Sequence, residues 1–431
     1  MEILRADTFQ ADDAAGYTGE TAPFERSTHG EGFGHVINEA YERTIAPVAD
    51  WVRQTRDNGM YFLEPPFESG QASRSRLRDR DVIMLSTSNY LGLAEHPEIA
   101  GAMKDALDQF GPSTCGARLS NGTTKLHHEL EERLSQWLGA EAVALFSSGY
   151  LANLGAISAM CDSETVIITD QFNHMSILDG CRLAEGSVKI FAHNSIEKLE
   201  YVLERNADAA KKFIVVDGVY SLDGEIAPLD GISKLAEQHG AMLMVDEAHA
   251  VGVLGDGGRG AAAHFGIGSD VLMGTFSKSL AGVGGFVAGS TRLIEYIRHT
   301  SHAYIFNASL PAPTVAGVLK SLELMRRESW RIEKLWHNTA RLRSGLLELG
   351  YEVMGSVTPV VPIMIGDDEV ALKLANELID DGLYVTVALP PAVPKNTSRF
   401  RANVSAAMDD ETIDRALELL GQAGKRHGIL S

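Results

Sequence analysis

Short apolar runs that end in polar or glycine residues recur through the middle of the chain, and stretches with apolar residues at helical spacing separate them. Such runs predict buried strands, here near residues 82–85, 142–146, 165–168, 213–216, 241–245 and 271–273. A repeated order of strand, polar strand end and helix is typical of a mostly parallel, doubly wound sheet. We therefore predict an α/β fold whose ligand lies at the carboxyl ends of the strands.

The two ends of the chain follow other patterns. Residues 1 to about 33 are rich in small and acidic side chains without a sustained period, which predicts a mobile or partner-wrapping arm before a helix over about 34–56. Beyond Pro311 a long helical region leads into a small α/β unit, with strands near 360–365, 383–387 and from 400, and a helix from about 411. We expect three parts: an N-terminal arm and helix over 1–81, a large domain over 82–310, and a small C-terminal α/β domain over 311–431.

The charge balance narrows the class of partner. The 431 residues carry 58 acidic and 38 basic side chains, a net charge of −20, which argues against nucleic acid or an anionic membrane as the main partner. The three cysteines have no metal-ligand spacing, so we expect reduced thiols and no metal. The first residues lack a signal-peptide pattern and no apolar run is long enough to span a bilayer, so we expect a cytoplasmic protein without a transmembrane segment.

The first candidate for chemistry is Lys278, which follows the predicted strand 271–273 among glycines and hydroxyl side chains. A lysine partly withdrawn from water has a lowered pKa and is more often a free nucleophile, as a Schiff-base lysine must be. Thr275 and Ser277 offer hydroxyl donors, and nearby glycines let backbone amides approach an anion. The stretch therefore suits a lysine that binds pyridoxal phosphate, the alternative being an ordinary loop lysine.

Residues at other predicted strand ends supply partners for such a cofactor. Asp246 could hold a protonated pyridine nitrogen, and His249, three residues on, could reach the ring hydroxyl. His174 could stack on the ring. Gly149 and Tyr150 stand at the opening of the next predicted helix, where free amides could bind the phosphate. The alternatives are a capping role for Asp246 and an ordinary polar role for His174.

Eight segments, in this order along the chain, resemble the α-oxoamine synthases, a family of fold-type-I pyridoxal phosphate enzymes. They are SNYLGLA, ARLSNGT, SSGYLANLGAIS, DQFNHMSILDGCRLA, DGVYSLDGEIAPL, VDEAHAVGVLGDGGRG, GTFSKSLAGVGGFVAG and PPAVPKNTSRFRANVS. The resemblance covers nearly everything from about residue 82 to the C-terminus. Within the family, the branch of bacterial soluble serine palmitoyltransferases is the most similar, through LSNGT, GTFSKS and YIFNASLP.

The resemblance implies a role for each matching residue. Lys278, His174 and Asp246 are the implied catalytic residues. The implied cofactor-binding residues are Lys278, His174, Asp246, His249, Thr275, Ser277, Ser221, Gly149 and Tyr150. Arg401 is expected to hold the amino-acid carboxylate, and the other expected substrate-binding residues are Asn89, Tyr90 and Ala117. The family also implies a homodimer with sites at the interface, in which residues 307–309 reach the phosphate of the other subunit.

Four positions depart from the family pattern. Ala117 stands where the family usually has serine or threonine, and Cys115 replaces a small or amide residue. Leu389 occupies a place that is arginine in the most similar palmitoyltransferases, and Asn307 replaces serine or threonine. All four lie where family members bind substrate or phosphate. The cofactor contacts are therefore expected to be intact, while the substrate is open to change.

The function implied is a decarboxylative condensation of an L-amino acid with an acyl thioester, on coenzyme A or acyl carrier protein, to an α-aminoketone. Serine is the first choice of amino acid, and alanine or glutamate are alternatives because of Ala117 and Leu389. A different pyridoxal phosphate reaction, such as transamination or retro-aldol cleavage, is possible on the same fold. A catalytically silent partner subunit is the remaining alternative, which the presence of Lys278, His174 and Asp246 disfavours.

Overall fold

The structure, a computed structural model, describes residues 39–355 and 358–430. The arm predicted for residues 1 to about 33 lies outside the described residues. The described residues up to Leu63 and those from Glu64 onwards form two separate compact units. The helix predicted over about 34–56 is described from Glu39 to Asp57. The division into domains at 81/82 and 310/311 stays a prediction.

Helices and strands alternate through most of the chain, as the apolar pattern predicts. The helices are α1 (Glu39–Asp57), α2 (Pro97–Phe110), α3 (Lys125–Leu138), α4 (Gly149–Met160), α5 (Met175–Leu183), α6 (Ile196–Arg205), α7 (Leu229–His239), α8 (Ala261–Phe265), α9 (Thr291–Thr300), α10 (His302–Ile305), α11 (Ala312–Arg327), α12 (Trp330–Leu349), α13 (Asp368–Asp381) and α14 (Asp410–Arg426). The strands are β1 (Arg74–Leu77), β2 (Arg80–Met84), β3 (Ala142–Phe146), β4 (Thr165–Asp170), β5 (Ser187–Phe191), β6 (Lys211–Asp217), β7 (Met242–Asp246), β8 (Val271–Thr275), β9 (Gly285–Gly289), β10 (Val360–Gly366), β11 (Leu383–Tyr384), β12 (Thr386–Ala388) and β13 (Ser398–Asn403).

A seven-stranded sheet in the order β3-β9-β8-β7-β6-β4-β5 forms the centre of the larger unit. Its strands are parallel except β9, which pairs antiparallel with β3 and β8. The register places Asp217 opposite Asp246, so the ends of β6 and β7 lie side by side. Apolar side chains of β4, β6 and β7 pack with α4 and α5 in a buried core, and the strand ends are left to carry polar groups. The predicted mostly parallel α/β sheet is confirmed.

Two small sheets use strands from distant parts of the sequence. One has the order β1-β2-β11 and the other the order β10-β13-β12. The sequence pattern predicts one strand over 383–387, and this prediction is wrong. The chain changes sheets at buried Val385, because β11 pairs parallel with β2 whereas β12 pairs antiparallel with β13. Among the described residues, no helix combines the length and the apolar character needed to cross a bilayer.

Candidate active site

The amino terminus of α4 and the end of β8 form one side of the site. Ser148 caps α4 by accepting a hydrogen bond from the amide of Leu151 at 3.1 Å, and the helix begins at Gly149. The first amides of a helix have no intrahelical acceptor, so they point outward at this end. A Cβ atom on Gly149 would lie 3.0 Å from both Cβ and Oγ1 of Thr275, so the close approach of α4 to β8 favours glycine here.

Two hydroxyl groups lie beside the first amides of α4. We call these hydroxyls and amides together the cradle. The Oγ atoms of Thr275 and Ser277 lie 2.8 Å apart, and Thr275 also donates to the carbonyl of Gly284 at 2.9 Å. The side chain of Tyr150 turns elsewhere, since its hydroxyl donates to the carboxylate of Asp179. Tyr150 can therefore offer this cradle its backbone amide. A helix amino terminus with two hydroxyls beside it is suited to a phosphate group.

Asp246 lies at the end of β7 and is buried. Its Oδ1 accepts the amide of Ala248 at 2.8 Å, and its Oδ2 accepts Nδ2 of Asn153 at 2.7 Å. Asn153 is fully buried in α4, one helical turn after Gly149, and its Nδ2 also lies 2.8 Å from Oγ of Ser176. Sequence reasoning missed Asn153, although its spacing of four from Gly149 indicates the same face of the helix.

Lys278 follows β8 and is partly buried. Burial lowers the pKa of its amine to about 8, with the negative charge of Asp246 opposing this change and the positive charge of Arg401 adding to it. These interactions place Lys278, Asp246 and Arg401 within electrostatic reach of one another. An amine with this pKa is neutral in a useful fraction of molecules near neutral pH, as a nucleophile or base must be.

His249 and Tyr90 form a buried pair, with Oη of Tyr90 2.8 Å from Nδ1 of His249. Burial lowers the pKa of His249 well below its ordinary value, and the charges of Lys278 and Arg401 lower it further. Burial also raises the pKa of Tyr90, so its hydroxyl keeps its proton. We infer that Tyr90 donates to Nδ1. The proton of the neutral ring is then on Nε2, free to donate to a ligand oxygen.

His174 is held through both its backbone and its ring. Its amide donates to Oδ2 of Asp217 at 2.8 Å, and its Nδ1 lies 2.7 Å from Oγ of Ser176. The ring itself is exposed, so it can contact a bound molecule. Burial and the adjacent charge of Asp246 raise the pKa of Asp217 well above its ordinary value. Asp217 thus holds the backbone of His174 in place. Ser221 lies nearby in sequence, in the loop that follows β6.

Arg401 lies in β13, the central strand of the sheet β10-β13-β12. Its Nε is buried and has no hydrogen-bond partner within the described part of the chain. Its positive charge acts on Lys278 and on Tyr90. This guanidinium has a buried donor without an acceptor and lies within electrostatic reach of a lysine. Such a group is suited to a carboxylate ligand.

The remaining predicted residues have mainly local contacts. Oδ1 of Asn89 accepts the amides of Leu93 and Ala94 at 2.8 and 3.2 Å, so this side chain shapes the turn after β2. Ala117 forms an isolated bridge with Ala308. The neighbour of Ala308, Asn307, donates from Nδ2 to Oγ of Ser147, just before the cap of α4. This contact places Asn307 near the phosphate-type cradle of its own chain.

Comparisons with known proteins identify the family of this chain. Residues 80–420 match the family described as Aminotransferase class I and II. The serine palmitoyltransferase of Bacteriovorax stolpii is 39% identical over 383 residues, 88% of this chain and 91% of that protein. The 8-amino-7-oxononanoate synthase of Bacillus pumilus is 37% identical over 383 residues, 88% of this chain and 98% of that protein. A solved structure described as SPT with PLP internal aldimine has a TM-score of 0.88 and 35% identity, and covers 91% of this chain and all of that one.

The architecture is therefore that of the fold-type-I pyridoxal phosphate transferases. Within them, the chain belongs to the α-oxoamine synthases. The resemblance and the fold class inferred from the sequence are confirmed. Two different enzymes of the family, at 39% and 37% identity, are almost equally similar to this chain.

The residues present fit pyridoxal phosphate. Gly149 leaves room for an anion at the start of α4, where a Cβ would crowd Thr275. The buried carboxylate of Asp246 suits a cationic ring nitrogen, and the lowered pKa of Lys278 suits a Schiff base. Asn153 donates to Asp246, and Asp217 accepts the amide of His174, so these two residues would support the expected cofactor residues.

Proposed function

We propose that this chain, whose cofactor is pyridoxal phosphate, joins an L-amino acid to the acyl group of a thioester with loss of carbon dioxide. A carbon–carbon bond forms between the α-carbon and the thioester carbonyl, the carbon–sulfur bond breaks, and the thiol leaves. The original carboxylate then leaves as carbon dioxide, and an α-aminoketone remains. The observation that carries the proposal is the grouping of three residues: Lys278 with its lowered pKa, buried Asp246, and Arg401, whose Nε has no hydrogen-bond partner in the described part of the chain.

Each of these residues has a defined task in the proposal. When bound, pyridoxal phosphate supplies an electron sink for the charge that develops at the α-carbon. Lys278 would hold the cofactor and would remove the α-proton, which its lowered pKa favours near neutral pH. Asp246 would keep the ring nitrogen protonated. Arg401 orients the substrate carboxylate, and neutral His249 donates from Nε2 toward the ring oxygen.

His174 and the phosphate cradle fix the position of the cofactor. His174 offers an exposed ring for stacking, and Asp217 holds the backbone beneath it. Ser221 is assigned to the ring oxygen, together with His249. Thr275, Ser277 and the first amides of α4 are assigned to the phosphate. Because these groups are already placed by their own hydrogen bonds, little reorganisation is needed at the moment of reaction.

Serine is the proposed amino acid, with alanine and glutamate as alternatives. Its support is the similarity to serine palmitoyltransferase, while the nearly equal similarity to 8-amino-7-oxononanoate synthase keeps the alternatives open. The acyl carrier is coenzyme A or acyl carrier protein. A homodimer with sites at the interface, and a cytoplasmic location, are proposed from the family resemblance. The cysteines are free thiols, as reduced residues would be.

The test is a matrix of amino acids against acyl thioesters with the purified protein. Carboxyl-labelled amino acid reports carbon dioxide, a thiol reagent reports the released thiol, and mass spectrometry identifies the product. The proposal requires carbon dioxide and thiol in equal amounts and an α-aminoketone, and Lys278→Ala is the matched control. A keto acid formed without thiol release indicates transamination instead, and an aldehyde indicates retro-aldol cleavage. Bound cofactor with no product from any pair indicates a silent subunit.

A further inference from the structure

Next to the cofactor residues, the dipeptide His193-Asn194 lies between two carboxylates. Nδ1 of His193 is 2.9 Å from Oδ1 of Asp170, and Nε2 is 2.9 Å from Oε2 of Glu225. Asn194 repeats the bridge, since its amide donates to Oδ2 of Asp170 at 2.8 Å and its Nδ2 donates to Oε2 of Glu225 at 3.1 Å. Asp170 is fully buried, and the side chain of His193 is only 13% exposed.

The geometry determines the charge of the His193 ring. Both ring nitrogens face carboxylate oxygens, which can only accept, so both hydrogen bonds form together only in the doubly protonated ring. Burial opposes that charge, but the hydrogen bonds and charges of Asp170 and Glu225 outweigh it, and the pKa of His193 is raised. A neutral ring would direct a lone pair at one carboxylate. The bridge therefore needs an imidazolium.

The other described groups that contact this ring are aromatic. The ring of Phe172 is tilted by 35° to it with the centroids 4.6 Å apart, and Tyr220 meets it edge-on at 4.3 Å. Burial and the charges of Asp170 and Asp217 raise the pKa of Tyr220, so the phenol stays neutral. Among the described residues, the titratable groups that contact His193 are thus the two carboxylates of Asp170 and Glu225 and this phenol.

The two carboxylates belong to two loops that carry cofactor residues. Asp170 ends β4 and also accepts the amide of Phe172 at 2.8 Å, two residues before His174. Glu225 lies in the loop after β6, where its carbonyl accepts the amide of Tyr220 at 2.9 Å, beside Ser221. The bridge through His193 therefore spans from the loop of His174 to the loop of Ser221.

We propose that His193 is a positioning residue whose imidazolium ties the loop of His174 to the loop of Ser221 and so fixes the shape of the cofactor pocket. Below the ordinary pKa of histidine, the ring of His193 is protonated and both of its hydrogen bonds to carboxylates form. It is lost as the pH rises through the raised pKa of the folded protein, because only the folded state gains from the charge. Cofactor retention and thermal stability should therefore share a decline on the alkaline side. The inference rests on the bound cofactor, and only an effect on turnover would rest on the proposed function.

The test follows the holoenzyme from pH 6 to pH 10, measuring the melting temperature and the rate of cofactor loss into cofactor-free buffer. In His193→Gln we expect the cofactor to be lost about tenfold faster at low pH, because the charged bridge is gone. We also expect the part of the alkaline decline in melting temperature and cofactor retention that depends on His193 to be absent. Glu225→Gln keeps an acceptor but removes a charge, so the decline should move to lower pH. His264→Gln, an exposed histidine in α8, is the control and should match the parent protein.

The proposal is overturned if His193→Gln keeps the parent decline with the same midpoint, or if Glu225→Gln leaves the midpoint unmoved. Should His193→Gln fail to fold, the shift in Glu225→Gln decides alone. Both readouts use bound cofactor and not turnover. A failure of the condensation assay therefore leaves this test valid, and the two failures are distinguishable.

Discussion

The cofactor side and the substrate side of the site are built differently. On the cofactor side, Asp246 and Asp217 are buried and accept hydrogen bonds from Asn153, Ala248 and His174. On the substrate side, Arg401 keeps a buried Nε without a partner among the described residues. Ala117 and Leu389, which the family resemblance assigns to the substrate side, are apolar. The carboxylates on one side already accept hydrogen bonds from the protein, whereas Arg401 on the other keeps a buried donor for a ligand.

This difference indicates where the family can vary. A buried polar network is costly to break, because each lost partner leaves a group with neither protein nor water. Replacing an apolar side chain that has no polar partner carries no such penalty. We therefore expect the chemistry to be sensitive to substitution on the cofactor side, and the choice of substrate to be decided on the other side.

The largest effect is expected for Lys278→Ala. With no amine to bond to the cofactor or to move the α-proton, turnover should fall by about 10³-fold or more. Borohydride reduction of the parent protein should leave the mass of the cofactor on the peptide that contains Lys278, and the variant should show none. Lys234→Ala, an exposed residue of α7, is the control. Cofactor found on another lysine would contradict the assignment.

Asp246→Asn should come next. The side chain keeps its size but loses the charge that holds the ring nitrogen protonated, so turnover should fall on the order of 10²–10³-fold with the cofactor retained. Asn153→Ala should reduce turnover about tenfold, since it removes one donor to that carboxylate. Bound cofactor is measured by absorbance and turnover by thiol release. Equal effects of the two variants would show that the charge of Asp246 is not the essential feature.

Arg401→Ala tests the substrate side directly. Removal of a guanidinium that pairs with a buried carboxylate costs about 2 kcal/mol or more, so KM for the amino acid should rise about 30-fold. KM for the acyl thioester should be unchanged, and the cofactor should stay bound. Arg415→Ala, an exposed residue of α14, is the control. A normal KM for the amino acid in Arg401→Ala would place the carboxylate site elsewhere.

The lowered pKa of Lys278 predicts how cofactor-free protein takes up pyridoxal phosphate. Only the neutral amine reacts, so the rate of covalent capture should rise about tenfold per pH unit below pH 8 and level off above it. Stopped-flow absorbance measures this rate. Asp246→Asn should move the plateau to lower pH, because the charge of Asp246 opposes the lowering of this pKa. A plateau only above pH 10 would mean that burial does not act on Lys278 as proposed.

The sequence is informative where the pattern is local. Lys278 and Asp246 stand directly after apolar strands, and the sheet brings such ends together, so their neighbourhood was predictable. Asn153 was not, because its contact with Asp246 exists only once α4 packs over β7. The edge strand β5 was also missed, since four of its five residues are exposed and it has no apolar run.

Long-range pairing explains the other misses. The division of 383–387 between β11 and β12 depends on β2, three hundred residues away, which no local pattern encodes. The bridge from His193 to Asp170 and Glu225 likewise joins three separate segments. The expected roles of the site residues came from the segments that resemble the family. The spacing of apolar residues alone does not indicate such roles.

The smallest effect is expected for Ala117→Ser, which restores the hydroxyl that the family usually has. Ala117 bridges to Ala308 and is half-buried, so a serine hydroxyl fits with little strain and adds at most one hydrogen bond. The preference for serine over alanine should then rise by no more than about tenfold. Titration of the holoenzyme with single amino acids, followed by the change in cofactor absorbance, measures the preference, and Ala303→Ser is the control. If serine already binds most tightly to the parent protein and Ala117→Ser leaves the ranking unchanged, Ala117 has no part in selecting the amino acid.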